Sequence, residues 1–378
     1  MNSGGRGISL SEKQRIAWLR LIRSDNVGPV TFRDLINHFG SAETAIEMLP
    51  ELSARGGSTR AIRIASESDA HAELEAARKA GARFLGIGEP GYPEALRQID
   101  GAPPLLAIRG SLQVTSAPAI GIVGSRNASI TGAKFAGMIA QEAGRAGFSV
   151  VSGMARGIDT AAHKASLATG TIAALAGGID RPYPPENELL YRDITENGGL
   201  AVSEMPFGWE ARARDFPRRN RLIAGIALGT VVIEAAFKSG SLITAARAAD
   251  FGRQVFAVPG SPLDPRCHGT NHLIKEGATI VTQPGDITEA LAPQLDRDLF
   301  SMLDAREPEK SDDHGRFVPP GEDDRYAIVS ALGPSPVDID DIIRHTRLPA
   351  RSVYLVLLEL DLAGRLVRHA GGSVSLVY

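Results

Sequence analysis

The stretch 119–153, AIGIVGSRNASITGAKFAGMIAQEAGRAGFSVVSG, decides the fold. An apolar run, AIGIVG, ends in a glycine turn. ASITGAKFAGMIAQEAGRAG then spaces apolar residues at helical intervals, and SVVSG is a second short apolar run. Outward from this segment the texture repeats from about residue 80 to 295. GIDTAAHKASLATG, TIAALAG, LAVSEM, GTVVIEAA, GSLITAARAADFG and QVFAVPG follow in turn, with a last unit around ATIV. Strands rich in Val, Ile and Ala on both faces, each followed by a helix, specify an α/β fold with a mostly parallel, doubly wound sheet.

The flanks differ in kind. Residues 1–76 are expected to form a helical domain, with Ile16, Leu19 and Ile22, then Phe32, Leu35, Ile36 and Phe39, at helical spacing. NVGPVT (Asn26–Thr31) breaks two of its helices, as in a helix-hairpin-helix or sterile-alpha-motif-like module. Some such modules present turn amides to a DNA phosphate; the plainer alternative is a packing or oligomerisation domain. Residues 301–324 are charged, mostly acidic and carry Pro-Pro-Gly, the composition of a linker. In 325–378 a helix, a turn, a longer helix and a Gly-Gly hairpin give the winged-helix pattern. Its six Arg stand against five acids, too even a balance to argue DNA binding.

Among 378 residues, 41 Lys+Arg face 44 Asp+Glu, a formal net charge of −3, so any anion binding must be local. The lone Cys267 permits no intrachain disulfide and no cysteine-based zinc cluster. MNSGGRGISLSEKQR has no apolar core of signal-peptide length, and no apolar run approaches the roughly 20 residues that span a bilayer. The expectation is a soluble cytoplasmic protein.

In an open parallel sheet, ligands bind beyond the carboxyl ends of the strands, where helix starts converge. Three such ends share one theme. Gly124, Ser125 and Arg126 follow the first core strand; Ser152, Gly153 and Arg156 follow the second. Lys238, Ser239, Gly240, Ser241 and Thr244 follow another. Glycine allows close approach of an anion, the hydroxyl donates, and the cation offers charge. One such loop is weak evidence; three favour a phosphate-lined groove.

A fourth strand end carries ARARDFPRRNRLIAG (211–225), which holds Arg212, Arg214, Arg218, Arg219 and Arg221 within ten residues. Glu210 and Asp215 are the only nearby acids, so the guanidiniums repel one another unless a polyanion joins them. Phe216 is placed to stack on a base. One or two of the five arginines are expected to be structural, Arg221 first, through acids such as Glu204 or Glu234, with Asn220 holding the loop.

Catalytic patterns are weak. Asp159 and His163 stand one helical turn apart, which more often braces a helix than forms an acid–base pair. Cys267, His268 and His272 lack further metal-ligand spacing, and Walker A, HExxH and GxSxG sequences are absent. Glu234 is the best single acid, equally able to orient loops. No metal and no cofactor are expected.

GSR at 124–126, SGMARGID at 152–159, FPRRNRLIAG at 216–225 and SGSLITAARAADFGR at 239–253 resemble the DNA-processing protein A (DprA/Smf) family. VFAVPG at 255–260 and GTNHLIKEGA at 269–278 extend the resemblance. It implies an extended Rossmann-like domain, here 77–300, that binds single-stranded DNA in a positive pocket and often dimerises. It also implies loading of RecA recombinase onto incoming DNA, coated or not with single-strand-binding protein, during natural transformation, and no enzymatic activity. By the same resemblance Gly124–Arg126, Arg218, Arg219, Asn220, Arg221, Lys238–Ser241, Thr244 and Asn271 bind the DNA. The rival is a nucleotide-processing enzyme of the lysine-decarboxylase-like phosphoribohydrolase type. LITAARAA (242–249) argues against it, having no acid before Asp250 where that chemistry needs a glutamate at the helix start. A dinucleotide-dependent enzyme is disfavoured because the glycine loop after the first core strand, GIVGSRNASITG (121–132), does not have the GxGxxG spacing.

Overall fold

The computed structural model describes residues 9–301 and 320–377; residues 1–8 and most of the linker expected over 301–324 lie outside the described residues. The chain divides into two compact units. One comprises the residues up to Ser11 with His71–Asp304, the other Glu12–Ala70 with Ala305–Tyr378.

Four helices come first: α1 (Glu12–Ile22), α2 (Pro29–Phe39), α3 (Ala42–Arg55) and α4 (Glu67–Lys79). The break expected at Asn26–Thr31 separates α1 from α2. Pro29 starts α2, where its missing N–H costs nothing, and Gly40 ends it in the left-handed region at φ 79°.

The sheet unit begins with β1 (Ala82–Gly86), the one-turn α5 (Glu94–Arg97) and β2 (Leu105–Gly110). It continues β3 (Ala119–Gly124), α6 (Ile130–Arg145), β4 (Ser149–Ser152), α7 (Ile158–Ser166), β5 (Thr171–Ala174), α8 (Glu188–Glu196) and β6 (Leu200–Ser203). Then follow α9 (Phe216–Ile226), β7 (Ala227–Ile233), α10 (Gly240–Asp250), β8 (Gln254–Ala257), α11 (His268–Lys275), β9 (Thr279–Ile280) and α12 (Gly285–Ser301). Among the described residues, nine strands form one sheet in the order β1-β2-β6-β5-β4-β3-β7-β8-β9. Neighbours from β6 to β9 run parallel. β1 and β2 pair antiparallel, and β2 pairs antiparallel with β6.

Side chains alternate across β3 and β7, as the pleat demands. Ala119, Val123 and Val232 enter one layer with Leu222, Ile226 and Ala245 of α9 and α10. Ile120, Ile122, Val231 and Ile233 enter the other with Ile139 of α6 and Ile158 of α7. The chain runs from β3 outward to β6, then returns to lay β7 on the other side of β3. Helices α6 and α10, which follow these two adjacent strands, therefore cover opposite faces. Their carboxyl ends form the crevice at which doubly wound sheets bind ligands.

In the second unit, α13 (Glu322–Ser330), β10 (Val337–Asp338), α14 (Ile339–Thr346), α15 (Ala350–Leu362), β11 (Leu366–Arg368) and β12 (Ser373–Leu376) make a winged helix with a β10-β12-β11 sheet. Helix α15 has two apolar faces. Val353, Val356, Leu357 and Leu360 pack in the winged-helix core. Leu355, Leu358 and Leu362 join Leu21, Phe32, Leu35 and Leu49 in the core of α1–α3. Polar bonds seal the seam: Asn26 Nδ2 donates to the Leu362 carbonyl at 2.9 Å, and Thr31 Oγ1 to Asp361 at 2.8 Å. Arg368 bridges Asp361 and Asp34, each at 3.0 Å. The first and last modules of the chain thus share one core.

Candidate nucleic-acid interface

The crevice is built by close backbone approach. A Cβ on Gly124, the last residue of β3, would collide with the Ile233 carbonyl of β7 and stand 2.7 Å from Ile158. Gly157, before α7, has φ +73°, and a Cβ there would strike the Ser125 carbonyl. These two glycines let the loops after β3 and β4 lie against each other. The Ile158 N–H donates to the Ser125 carbonyl at 3.2 Å, which ties them.

Across β7, Glu234 carries out the orienting role open to it in the sequence. Its carboxylate accepts the Ser129 N–H at 2.8 Å and the Ser129 hydroxyl, at the start of α6. Glu234, Met154 and Lys238 are non-glycine residues with positive φ, all three just beyond strands, where strained backbone gathers around functional crevices.

Between these loops lies a cavity of about 570 Å³. Gly124, Ser125 and Arg126 line it from β3, and Lys238, Ser239, Gly240, Ser241 and Thr244 from β7 and α10. Phe216, Arg219, Asn220 and Ile223 line it from α9, one face of the helix at i, i+3, i+4 and i+7. The cations of this lining are Arg126, Arg219 and Lys238, and its one carboxylate is Asp159, a formal surplus of two positive charges. Helix α10 starts here with Ser239 as its N-cap, its hydroxyl accepting the Ser241 N–H at 3.4 Å. A Cβ on Gly240 would meet nothing within 4 Å, so the positive dipole end of the helix faces open space.

The lining is braced from behind. Asp159 accepts the N–H groups of Gly153 and Ala155, both at 3.2 Å. Burial pushes its pKa up, and Arg219 opposes that most strongly. Arg219 is itself 6% exposed and donates to the Gly153 carbonyl and, at 3.1 Å, to Asn220 Oδ1. Burial lowers its pKa, against the pull of Asp159. Asn220 donates to the Gly240 carbonyl at 3.1 Å, pinning α9 to the α10 start. His163 lies behind the wall with Nδ1 2.7 Å from Thr171 Oγ1; burial first, then Arg219, lowers its pKa to about 3. Asp159 and His163 therefore brace a loop and a helix.

Several expected ligands point elsewhere. Ser152 is fully buried and donates to the Ile122 carbonyl at 2.6 Å. Gly153 spends its N–H on Asp159 and its carbonyl on Arg219. Arg221 turns away from the cavity to bind the Gly101 carbonyl and Glu204. Arg156 is exposed outside the lining, 3.9 Å from Glu186. Asn271 holds the backbone of Gly260 through both amide atoms and lies in a neighbouring groove. Arg218 is exposed outside the lining and makes no ion pair with a described residue. Asp215, the acid nearest the run, accepts from the Arg212 N–H and Trp209 Nε1, each at 2.9 Å, rather than neutralising a guanidinium. The Arg212 guanidinium stacks on Trp209, 4.5 Å from its centroid.

Phe216 is half-buried, with the guanidiniums of Arg126 and Arg219 at 5.2 and 5.6 Å from its ring. Sequence reading missed Phe237, an exposed aromatic on the rim beside Lys238, and Tyr183, edge-on to Phe216 at 5.8 Å. An aromatic beside a lysine was a signal for the first; nothing local marked the second. Cys267, His268 and Asp264 come near one another, yet no group able to hold a metal occurs among the described residues.

A family model described as DNA recombination-mediator protein A matches residues 83–292, the whole span that builds this cavity. The chain belongs to the DprA/Smf family. Models of the DprA-like N-terminal HHH domain and the DprA winged helix domain match 12–76 and 308–372. Protein Smf of Synechocystis is 31% identical over 393 aligned positions, covering 96% of this chain and 98% of its own. The DNA processing protein DprA of Streptococcus pneumoniae is 45% identical over 198, covering 52% of this chain and 70% of its own. The X-ray structure of the S. pneumoniae protein superposes with a TM-score of 0.61 at 34% identity, covering 74% of this chain and 98% of that one. DNA processing protein A of Helicobacter pylori, described for its single-stranded DNA binding mode, gives 0.52 at 26%, covering 56% and 96%. The DprA/Smf chain described here is thus a member of a family of DNA-processing recombination mediators.

Proposed function

We propose that this chain binds single-stranded DNA through its phosphates at the β3–β7 crevice and acts as a non-enzymatic mediator. One observation supports this above all: Gly124–Arg126, Arg219 and Lys238–Ser241, far apart in sequence, line one cavity with a surplus of positive charge. Phosphates engage the Arg126 guanidinium, Lys238 and the positive dipole end of α10, with the exposed Arg218 available outside the lining, while Arg219 and Asn220 hold the wall. The DprA/Smf relationship supports the cellular part: the chain protects incoming DNA, acts in the cytoplasm as a homodimer, and loads RecA during natural transformation, with single-strand-binding protein present on the DNA. Among the described residues no helix is long and apolar enough to cross a membrane.

The test is a gel shift with one labelled sequence offered as single strand and as duplex. The single strand is expected to bind more tightly, and Arg126→Ala to weaken it; equal affinity for both forms, unaffected by Arg126→Ala, counts against the reading. Loading is tested separately by RecA filament formation on oligonucleotide precoated with single-strand-binding protein, where the chain should shorten the lag.

A further inference from the structure

The loop after β5 is held firmly and ends in an open ring. The Gly178 N–H donates to the Trp209 carbonyl at 2.9 Å, and Tyr191 Oη to the Ile179 carbonyl at 2.5 Å. Asn187 Nδ2 donates to the Met154 carbonyl at 2.7 Å and to Thr160 Oγ1 at 2.9 Å, which ties the loop to the β4 end. Pro184 is buried, yet its neighbour Tyr183 is 48% exposed. The Tyr183 ring meets Phe216 edge to face, with an interplanar angle of 71°. Phe216 lines the cationic cavity and already has two guanidiniums over its ring. Tyr183 thus stands one ring beyond the phosphate seats, on a rigid base, with half its surface in solvent.

We propose that Tyr183 is a base-stacking residue that carries the nucleic-acid track out of the cavity and selects unpaired strands. The inference rests on the single-strand reading above. An unpaired base offers a free π-face to an open aromatic ring, whereas bases in a duplex are already stacked on their neighbours. The phosphate seats attract either form; the Tyr183 ring rewards only the unpaired one. A side chain whose task was to pad Phe216 would be equally well served by any apolar group, which gives the distinguishing variant.

The experiment titrates full-length protein with an oligonucleotide carrying 2-aminopurine, and with the same sequence as an unmodified duplex. Tyr183→Leu keeps apolar bulk against Phe216 and is expected to weaken single-strand binding about ten-fold, the scale of one lost base–aromatic stack. It should also lose the fluorescence quenching that stacking produces. Tyr183→Phe and Tyr183→Trp should stay within about two-fold of the parent, since the π-face persists. Duplex affinity should not change in any of them. If Tyr183→Leu binds and quenches like the parent while Arg126→Ala binds poorly, the Tyr183 role is wrong and the crevice reading stands. If neither variant changes binding, both are wrong.

Discussion

At the scale of single residues, the three arginines of α9 have different tasks, set by the phase of the helix. Arg219 shares a face with Phe216, Asn220 and Ile223 and is drawn into the wall; Arg221, two positions on, reaches Glu204; Arg218 stays in solvent. The sequence announced a concentration of charge but not this division, because each residue advances about 100° around the helix and the inward direction depends on long-range packing. Behind the wall, His163 gives a pH signature. Burial holds its pKa down at about 3 in the folded chain, against an ordinary value of 6.5. Below pH 6.5 the unfolded chain gains a proton that the folded one refuses, so stability is full above that pH and falls toward pH 3. Between pH 6.5 and 5 this group should cost the fold about 2 kcal/mol. Chemical denaturation across that window measures it; His163→Gln should flatten the slope, and a parent profile already flat contradicts the assignment.

At the scale of elements, the parallel sheet was legible because β3 and β7 are apolar on both faces, which a sheet covered on one side does not require. The antiparallel β1–β2 edge was not. ARFLG and LLAIRG are short apolar runs, and nothing in them encodes pairing direction. The strand-end loops were legible as a group, though Ser152 and Asn271 were credited with ligand roles that their hydrogen bonds leave little room for. Loop-on-loop contact yields a sharp contrast between two glycines. Gly157 and Gly147 both have positive φ, but only at Gly157 would a Cβ strike backbone; at Gly147 nothing lies within 4 Å. Gly147→Ala should cost about 1 kcal/mol from strain alone, and Gly157→Ala more, as the β3 loop is pushed aside. Thermal unfolding ranks them, and equal losses would show that the two loops are not in contact.

The second unit makes a related point. Helix α15 occupies the place of a recognition helix, yet its Leu355, Leu358 and Leu362 face is covered by α1–α3. Its last two turns therefore bind the first module of the chain and are closed to a DNA groove. The hairpin residues Asn26 and Thr31 are likewise engaged by α15. Of the two tasks open to the N-terminal module in the sequence, packing is the one this core serves. Residues more than 300 positions apart build it, and no local pattern could announce it. Leu358→Ala should destabilise the unit by about 2–5 kcal/mol and loosen both modules together. Hydrogen exchange that rises in α13–α15 alone would contradict a shared core.

At the scale of the whole molecule, a net charge of −3 coexists with a local surplus of positive charge in one crevice. The contrast favours capture of a flexible polyanion at one place over general adhesion to DNA, because the rest of the chain carries a net negative charge. The most direct test is the salt dependence of binding to a labelled single-stranded oligonucleotide, for the parent and for Arg126→Ala/Lys238→Ala. Losing two phosphate contacts should lower affinity and reduce the slope of log K against log salt by about 1.4. An unchanged slope and affinity in the folded double variant would contradict phosphate binding at this crevice.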